Sequence, residues 1–253
     1  MTLVIIRKTH KLLLLLLILA PLSLITGCNT LNVQDDHQRH ISNDPLQGLN
    51  RGIYAFNQGA DKLILKPVAK GYSKIVPNPA KKGVSHFFSN LGEPLNVVNN
   101  LLQGKVDHAI SSTYRFVVNS TLGVFGLFDV AKSLNVEKTP EDFGQTLAAW
   151  GVGPGPYLML PFAGPSNFRD GFGSLIDGAI FYPINEITDT ANERTALIVT
   201  DVVSLRAGFL GVDDVLDKQL DPYGFLKQAA EKSRIKDLYD GNPPLAPEED
   251  YDF

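Results

Sequence analysis

Ser166 is the side chain best placed along the sequence to act as a nucleophile. It lies in the sequence GPSNF of residues 164–168, which lacks the second glycine of the Gly-x-Ser-x-Gly turn found in lipases. A serine nucleophile of that class also needs a histidine downstream, and all five histidines precede Ser166. The near match therefore does not identify a hydrolase, although an unrecognised lipolytic site stays open as an alternative.

Metal and nucleotide chemistry are equally unsupported by the spacing of residues. Neither His86 nor His108 has a second histidine or cysteine at the separation of metal ligands. No loop of the Gly-x-x-x-x-Gly-Lys type is present to bind phosphates. We predict a protein that is not an enzyme and has no metal or cofactor.

The single cysteine, Cys28, follows a segment typical of a secretion signal. Three basic residues precede the unbroken apolar run of residues 12–20. Nine helical residues rise about 14 Å, less than half the ~30 Å hydrocarbon thickness of a bilayer. Residues 1–27 are therefore predicted to be a signal peptide and not a membrane anchor.

The sequence ITGC of residues 25–28 resembles the bacterial lipobox, in which the cysteine is acylated and the signal is cleaved before it. Several acyl chains on Cys28 would hold the protein on a membrane. In bacterial lipoproteins, an aspartate directly after the cysteine favours the inner membrane. This chain has Asn29 at that position, so the resemblance points to the outer membrane. The polar residues 28–42 are predicted to form a flexible tether between the lipid and the folded domain.

The charge of the mature chain disfavours nucleic acid as a partner. Removal of residues 1–27 removes three basic residues and no acidic ones, which leaves 20 basic residues against 27 acidic ones. Nucleic-acid binding depends on clustered basic residues. The same balance gives no support to a polybasic patch on an acidic lipid surface.

Residues 143–168 form a long segment without a charged side chain. The segment is long enough to cross a bilayer as a helix, but it contains four glycines and four prolines between residues 151 and 165. Each proline inside a helix costs about 3 kcal/mol. The segment is therefore predicted to be loop with at most a small hairpin, either crossing a core or lining a cavity.

Apolar residues elsewhere recur at steps of three and four, which indicates amphipathic helices and an all-α fold. The first predicted helix has Asn43 or Asp44 as its cap and Pro45 in its first turn, and it ends before Pro67. Further helices are predicted at 79–90, 94–104, 105–119, 166–183 with Ser166 as the cap, 192–209 and 222–239. No linker divides residues 43–240, so one domain is predicted. The acidic residues 241–253 are predicted to be a disordered tail.

Several blocks of the sequence resemble the MlaA (VacJ) family of lipoproteins, in the order of the family. The similar blocks are NDPLQGLNR (43–51), FFSNLGEPLNVVNNLLQG (87–104), NSTLGVFGLFDVA (119–131), EDFGQTLAAWGVGPGPYLMLPFAGPSNFRD (141–170) and DPY (221–223). The resemblance covers about residues 43–239. One departure is Leu49, where the family usually has phenylalanine.

The resemblance implies a ring-like bundle of amphipathic helices, embedded in the periplasmic-facing leaflet of the outer membrane around an amphipathic channel. It implies a protein that removes mislocalised phospholipids from the outer leaflet and passes them to a periplasmic lipid carrier, beside trimeric porins. By the same resemblance, residues 151–160 correspond to a loop that flexes beside the channel. The site residues proposed for this channel or hinge loop are Gly151, Val152, Gly153, Pro154, Gly155, Pro156 and Tyr157.

Two alternatives compete with lipid transport. A structural or porin-associated lipoprotein would use the same membrane-facing helices for protein contact alone. A lipolytic enzyme would release fatty acid. Phospholipid that co-purifies with the protein would favour transport over the first alternative.

Overall fold

The computed structural model describes residues 43–180, 184 and 187–244. The predicted signal peptide, the tether with Cys28, and residues 245–253 of the predicted tail lie outside the described residues. Within these residues most of the chain is helical, and the only strands form one antiparallel pair. The prediction of an all-α fold with a small hairpin in the central segment is confirmed.

The elements follow one another along the chain with short connections. The helices are α1 (Gln47–Ala60), α2 (Lys66–Ile75), α3 (Asn78–Leu91), α4 (Glu93–Leu102), α5 (Val106–Thr121), α6 (Val130–Ser133), α7 (Phe143–Ala149), α8 (Phe168–Ile180), α9 (Ala191–Gly208), α10 (Asp213–Asp217) and α11 (Pro222–Leu238). The hairpin consists of β1 (Tyr157–Leu160) and β2 (Gly164–Asn167), with Tyr157 opposite Asn167.

Helices α3, α4, α5, α9 and α11 confirm the predicted helices within a few residues at each end. Their starts use the chemistry that the sequence offers. Pro94 and Pro222 lie in the first turns of α4 and α11, where a missing N–H costs nothing. Thr190 caps α9 and shares a reciprocal capping box with Glu193.

The predicted end of the first helix before Pro67 is wrong, because the helix continues to Ile75. A π-helical turn over Asp61–Leu65 joins α1 to α2, and the N–H of Lys66 bonds to the carbonyl of Asp61. Pro67 then lies in the first turn of α2, where its missing donor is tolerated. The wider turn thus lets the chain carry a proline without breaking the helix.

Two predicted caps are also wrong. The start of α1 has no side-chain cap, and the carboxylate of Asp44 instead accepts hydrogen bonds from Asn50 and the Tyr223 hydroxyl. Ser166 lies in β2, and the Oδ1 of Asn167 accepts the N–H of Asp170 at the start of α8. Tertiary partners compete for the Asp44 carboxylate, whereas Ser166 is part of the hairpin and its hydroxyl donates to the Asn167 carbonyl.

Helix α7 lies inside the segment that was predicted as loop and hairpin. Asp142 caps it by accepting the N–H of Gln145 at 2.8 Å. Its Gly144 lies against Gly173 of α8 so closely that a Cβ on Gly173 would collide with the Gly144 backbone. Two glycines therefore let α7 and α8 pack backbone against backbone.

The described elements make a closed circuit of neighbours. Helix α1 packs on β1, the hairpin on α8, α8 on α7, α7 on α4, α4 on α5, α5 on α3, α3 on α9, and α9 on α2. Helix α2 returns to α1 through the π-helical turn. Helix α11 contacts α7, β2 and α10. The bundle is ring-like, as the resemblance implied.

Candidate functional site

The ring reverses the usual distribution of side chains between inside and outside. Among the described residues, 32 large hydrophobic side chains are exposed, whereas ten hydrophobic and 15 polar or charged residues are buried. Water-soluble domains bury most large apolar side chains and rarely expose continuous apolar patches. An outer surface of this kind fits contact with lipid or with another protein.

Helix α5 shows the reversal within one element. An apolar stripe of Val106, Ile110 and Val117 is exposed on one face. The opposite face carries Arg115 and Asn119, which are buried. The apolar side therefore faces outward and the polar side faces the interior of the ring.

Helix α9 and the turns after it carry the same outward apolar character. Over residues 191–217 the mean hydropathy reaches 1.6 in an 18-residue window, and only 6% of that window is buried. By length and composition alone this segment could cross a membrane. We refer below to the exposed apolar side chains of the ring as the outer apolar surface.

The buried polar groups of α4, α5 and α7 bond to one another. Arg115 donates to Glu93 at 2.9 Å and to both carboxylate oxygens of Asp129 at 3.0 Å. Asn96 donates to the other oxygen of Glu93 at 2.9 Å. Thr146 of α7 donates to Asn99 at 2.7 Å. A polar interior is held together because its charges and amides are paired.

Two asparagines of α1 bind the free edge of the hairpin. Asn50 accepts the N–H of Met159 at 2.9 Å and donates to the carbonyl of Tyr157 at 3.1 Å. Asn57 accepts the N–H of Phe162 and donates to the carbonyl of Leu160, both at 2.9 Å. Each side-chain amide thus replaces the peptide of a missing neighbouring strand. We call these four bonds the asparagine clamp.

Residues 151–156 form the loop between α7 and β1. Gly151 and Gly155 have φ angles of +86° and +67°, a region that glycine adopts readily and other residues avoid. Gly153 has no positive φ, and a Cβ added at Gly151 or Gly153 would meet no atom within 4 Å. The loop lies against the start of α8, since Arg169 N–H bonds to the Pro154 carbonyl at 3.1 Å.

An apolar cavity of about 660 Å³ lies between the π-helical turn, the hairpin, α9 and α11. Its volume falls in the range of roughly 300–1,000 Å³ that is usual for ligand sites. Most of its wall is hydrophobic, and Arg206 pairs there with Asp61 at 2.7 Å. Its apolar lining side chains include Ile64, Leu65, Met159, Phe162, Val202, Phe209 and Leu226.

A second, charged cavity of about 320 Å³ lies between the hairpin, α7, α8 and α11. Arg234 crosses it and pairs with Asp142 at 2.6 Å and Asp170 at 2.8 Å. Burial would raise the pKa of Asp170, but its bonds to Arg234 and Arg169 hold that pKa below its ordinary value. Pro165 lies in the wall of both cavities. On α11, Leu226 lines the apolar cavity, and Ala230, one turn further along, lines the charged cavity.

Burial raises the pKa of Asp177 in α8 to about 6 from an ordinary 3.8. The hydrogen bond from the Phe143 N–H opposes that rise, and the nearby negative charge of Asp142 adds to it. The folded state therefore binds an extra proton between about pH 4 and 6, and the free energy of unfolding falls as pH rises through that window. We expect Asp177→Asn to raise that free energy by about 1–2 kcal/mol at pH 7.5 and to leave it almost unchanged at pH 4.

Thermal unfolding of Asp177→Asn in detergent across that pH range checks this expectation. Glu137→Gln, at an exposed carboxylate, is the matched control. An Asp177→Asn gain that is as large at pH 4 as at pH 7.5 would contradict the linkage.

Within the part of the chain that the structure describes, possible metal ligands occur together near the start of α5. His108, Glu141 and Asp240 present ligand atoms within 4.8 Å of one another. The Nζ of Lys105 already lies 2.9 Å from Glu141 and 2.7 Å from Asp240. The group is therefore an ion-pair cluster that the chain supplies with its own cation, and it joins the end of α11 to α5.

The site residues predicted from sequence fall into two structural settings. The loop contains Gly151 to Pro156, whereas Tyr157 is 1% exposed and begins β1. Ser166 lines the charged cavity, and no histidine lines that cavity among the described residues. The sequence interpretation missed Arg234 and Asp142, because nothing in their local sequence brings residues 92 positions apart together.

Comparison with known proteins identifies the family. The model of the MlaA lipoprotein family matches residues 42–237. The chain is 37% identical over 211 residues to the Escherichia coli intermembrane phospholipid transport system lipoprotein MlaA, covering 82% of this chain and 81% of that protein. It is 38% identical over 192 residues to an uncharacterised Rickettsia bellii protein, covering 76% and 75%.

A solved structure is similar over nearly its whole length. This structure was solved to explain the structural basis for maintenance of bacterial outer membrane lipid asymmetry. It matches with a TM-score of 0.67 and 35% sequence identity, and the match covers 79% of this chain and 99% of the chain in the solved structure. The family model and the similar structure each cover more than three quarters of the chain. This chain is a member of the MlaA lipoprotein family.

Proposed function

We propose that this protein removes mislocalised phospholipids from the outer leaflet of the outer membrane and passes them, through a channel in the ring, to a periplasmic lipid carrier. The adjoining cavities carry this proposal. A phospholipid has apolar chains and a charged headgroup, and the ring offers an apolar cavity beside a charged one with Pro165 in both walls. The proposal includes no catalytic step.

The outer apolar surface supports a position within the periplasmic-facing leaflet, where lipid chains would cover it. In such surroundings polar backbone and side chains have to be satisfied inside the protein. The bonds of Glu93 to Arg115 and Asn96 in the buried network answer part of that requirement. We further propose that Cys28 carries the lipid anchor and that trimeric porins contact part of the outer apolar surface.

A transfer assay tests the proposal directly. Vesicles that contain the protein and a labelled phospholipid are mixed with a soluble lipid carrier, and the label on the carrier is followed with time. Transport predicts faster transfer than from vesicles without the protein. Transfer at the protein-free rate would favour the second candidate, a structural or porin-associated lipoprotein. The outer apolar surface supports that candidate too, because it could serve protein contact alone.

The lipid anchor gives a separate prediction. We expect Cys28→Ser to abolish incorporation of labelled palmitate and to leave the signal peptide uncleaved, because the acylated thiol is removed. Labelling equal to the wild type would contradict the anchor. Membrane fractionation of the variant is a second readout, since the outer apolar surface is expected to hold part of the protein on the membrane without the anchor.

A further inference from the structure

Three arginines, the buried Arg115 and Arg169 and the partly buried Arg234, differ in how completely their guanidinium groups are hydrogen-bonded. Arg115 and Arg234 each bond through all three side-chain nitrogens to acceptors of the interior. Arg169 is as buried as Arg115, at 2% exposure. Its Nε donates to Asp170 at 2.9 Å, its Nη1 reaches the Val152 carbonyl only at 3.4 Å, and its Nη2 is buried without a partner.

The negative charge beside Arg169 is shared. The Asp170 carboxylate that it contacts also accepts two hydrogen bonds from Arg234 and one from Asn167. Arg169 therefore has no carboxylate of its own, whereas Arg115 bonds to two. Burial of an incompletely paired charge is costly, so its retention at this position calls for a role.

The cover over Arg169 is the loop of residues 151–156. Its nearest carbonyl, that of Val152, makes the long bond to Nη1, and the Pro154 carbonyl binds the Arg169 backbone. No atom lies within 4 Å of a Cβ placed at Gly151 or Gly153, so little side-chain packing holds this part of the loop. A movement of the loop would remove one weak acceptor and expose the unused donors.

We propose that Arg169 is a phosphate-binding residue that residues 151–156 cover and that becomes accessible when this loop moves. Guanidinium presents paired donors that match the oxygens of a phosphate, which forms stronger bonds than a neutral carbonyl. The phosphate would belong to a phospholipid headgroup or be free phosphate. The lipid source rests on the function proposed above, because a phospholipid passing the loop would bring its phosphodiester to Arg169.

Arginine modification by phenylglyoxal, mapped by mass spectrometry on the full-length purified protein, tests this inference. Three samples are compared: protein in phospholipid-free detergent, protein in phosphatidylglycerol vesicles, and protein in detergent with inorganic phosphate. Arg115 is the control, since it is as buried as Arg169 but fully bonded. In phospholipid-free detergent we expect phenylglyoxal to modify Arg169 but not Arg115. In phosphatidylglycerol vesicles we expect the modification of Arg169 to be several-fold slower than in detergent.

Protection by vesicles alone assigns the site to the lipid phosphodiester, and equal protection by inorganic phosphate assigns it to phosphate in general. No protection in either sample overturns the proposal. So does an Arg169 that never reacts, because the loop would then not uncover it. Protection by free phosphate together with protein-free rates in the transfer assay would leave this site standing and remove the transport function.

A substitution pair gives a second readout. Arg169→Lys keeps the charge but loses the paired donors, and Arg115→Lys makes the same change away from the loop. We expect the phospholipid phosphorus retained per protein to fall several-fold in Arg169→Lys and to stay at the wild-type level in Arg115→Lys. Wild-type retention in a folded Arg169→Lys would overturn the proposal, and if that variant does not fold, the modification experiment on the wild type decides.

Discussion

Glu93→Ala should lower the free energy of unfolding by about 3–5 kcal/mol, which is the usual cost of removing one partner from a buried ion pair. Glu93 is fully buried and bonds to Arg115 and Asn96. Its loss leaves the Arg115 guanidinium with an unpaired Nε inside the ring. Thermal unfolding in detergent should show a drop of roughly 10 °C for a domain of this size.

Glu137→Ala is the matched control, since it removes a glutamate of the same length from an exposed position. A double variant, Glu93→Leu with Arg115→Met, separates charge from packing. Replacing a buried pair with apolar side chains is often neutral or stabilising, so the double variant should recover part of the loss. The recovery is incomplete because Asp129 also loses its bonds to Arg115. A Glu93→Ala variant as stable as Glu137→Ala would show that the buried network does not hold α4 to α5.

Gly151→Val should reduce lipid transport strongly while Gly153→Val reduces it little. Both positions have room for a side chain, but only Gly151 has a positive φ. A β-branched residue there strains the present loop conformation by roughly 1–3 kcal/mol. An energy of that size shifts an equilibrium between two loop conformations by about 5- to 150-fold.

The test uses cells in which the variant is the sole copy of the protein. In these cells both the phospholipid content of the outer leaflet and the abundance of the protein are measured. We expect Gly151→Val to change lipid asymmetry at normal abundance, either by impaired removal or by leakage toward the outer leaflet. The same asymmetry in Gly151→Val, Gly153→Val and wild type, at equal abundance, would show that this loop is not the moving part.

Local sequence predicted most helices because their apolar residues repeat with the helical period. The predicted 79–90 and 192–209 correspond to α3 and α9. The failures have two causes, a local departure from the α-helical turn and a tertiary contact. Pro67 is carried through by a π-helical turn, and Asp44 leaves its expected cap for Asn50 and Tyr223. No local pattern reports a competing partner more than 100 residues away.

The candidate site was predictable only as a segment. Glycines and prolines predicted residues 143–168 as loop with at most a small hairpin, and the structure has loop only over 151–156, between α7 and the hairpin. The charged cavity could not be predicted, because its charged residues come from three separate helices. Asp142 caps α7, Asp170 lies in the first turn of α8, and Arg234 lies within α11. Amphipathic patterning gave the helices but not the direction of their apolar faces, since periodicity is the same whether the polar side faces water or an interior.

The asparagine clamp limits how the length of the chain can vary among related proteins. Seven residues separate Asn50 from Asn57, or about 10.5 Å of helix. The β1 carbonyls that accept their bonds, those of Tyr157 and Leu160, lie three residues apart, or about 10 Å. One residue inserted between the two asparagines would turn the second about 100° away from the hairpin. Insertions and deletions should therefore be excluded from this part of α1.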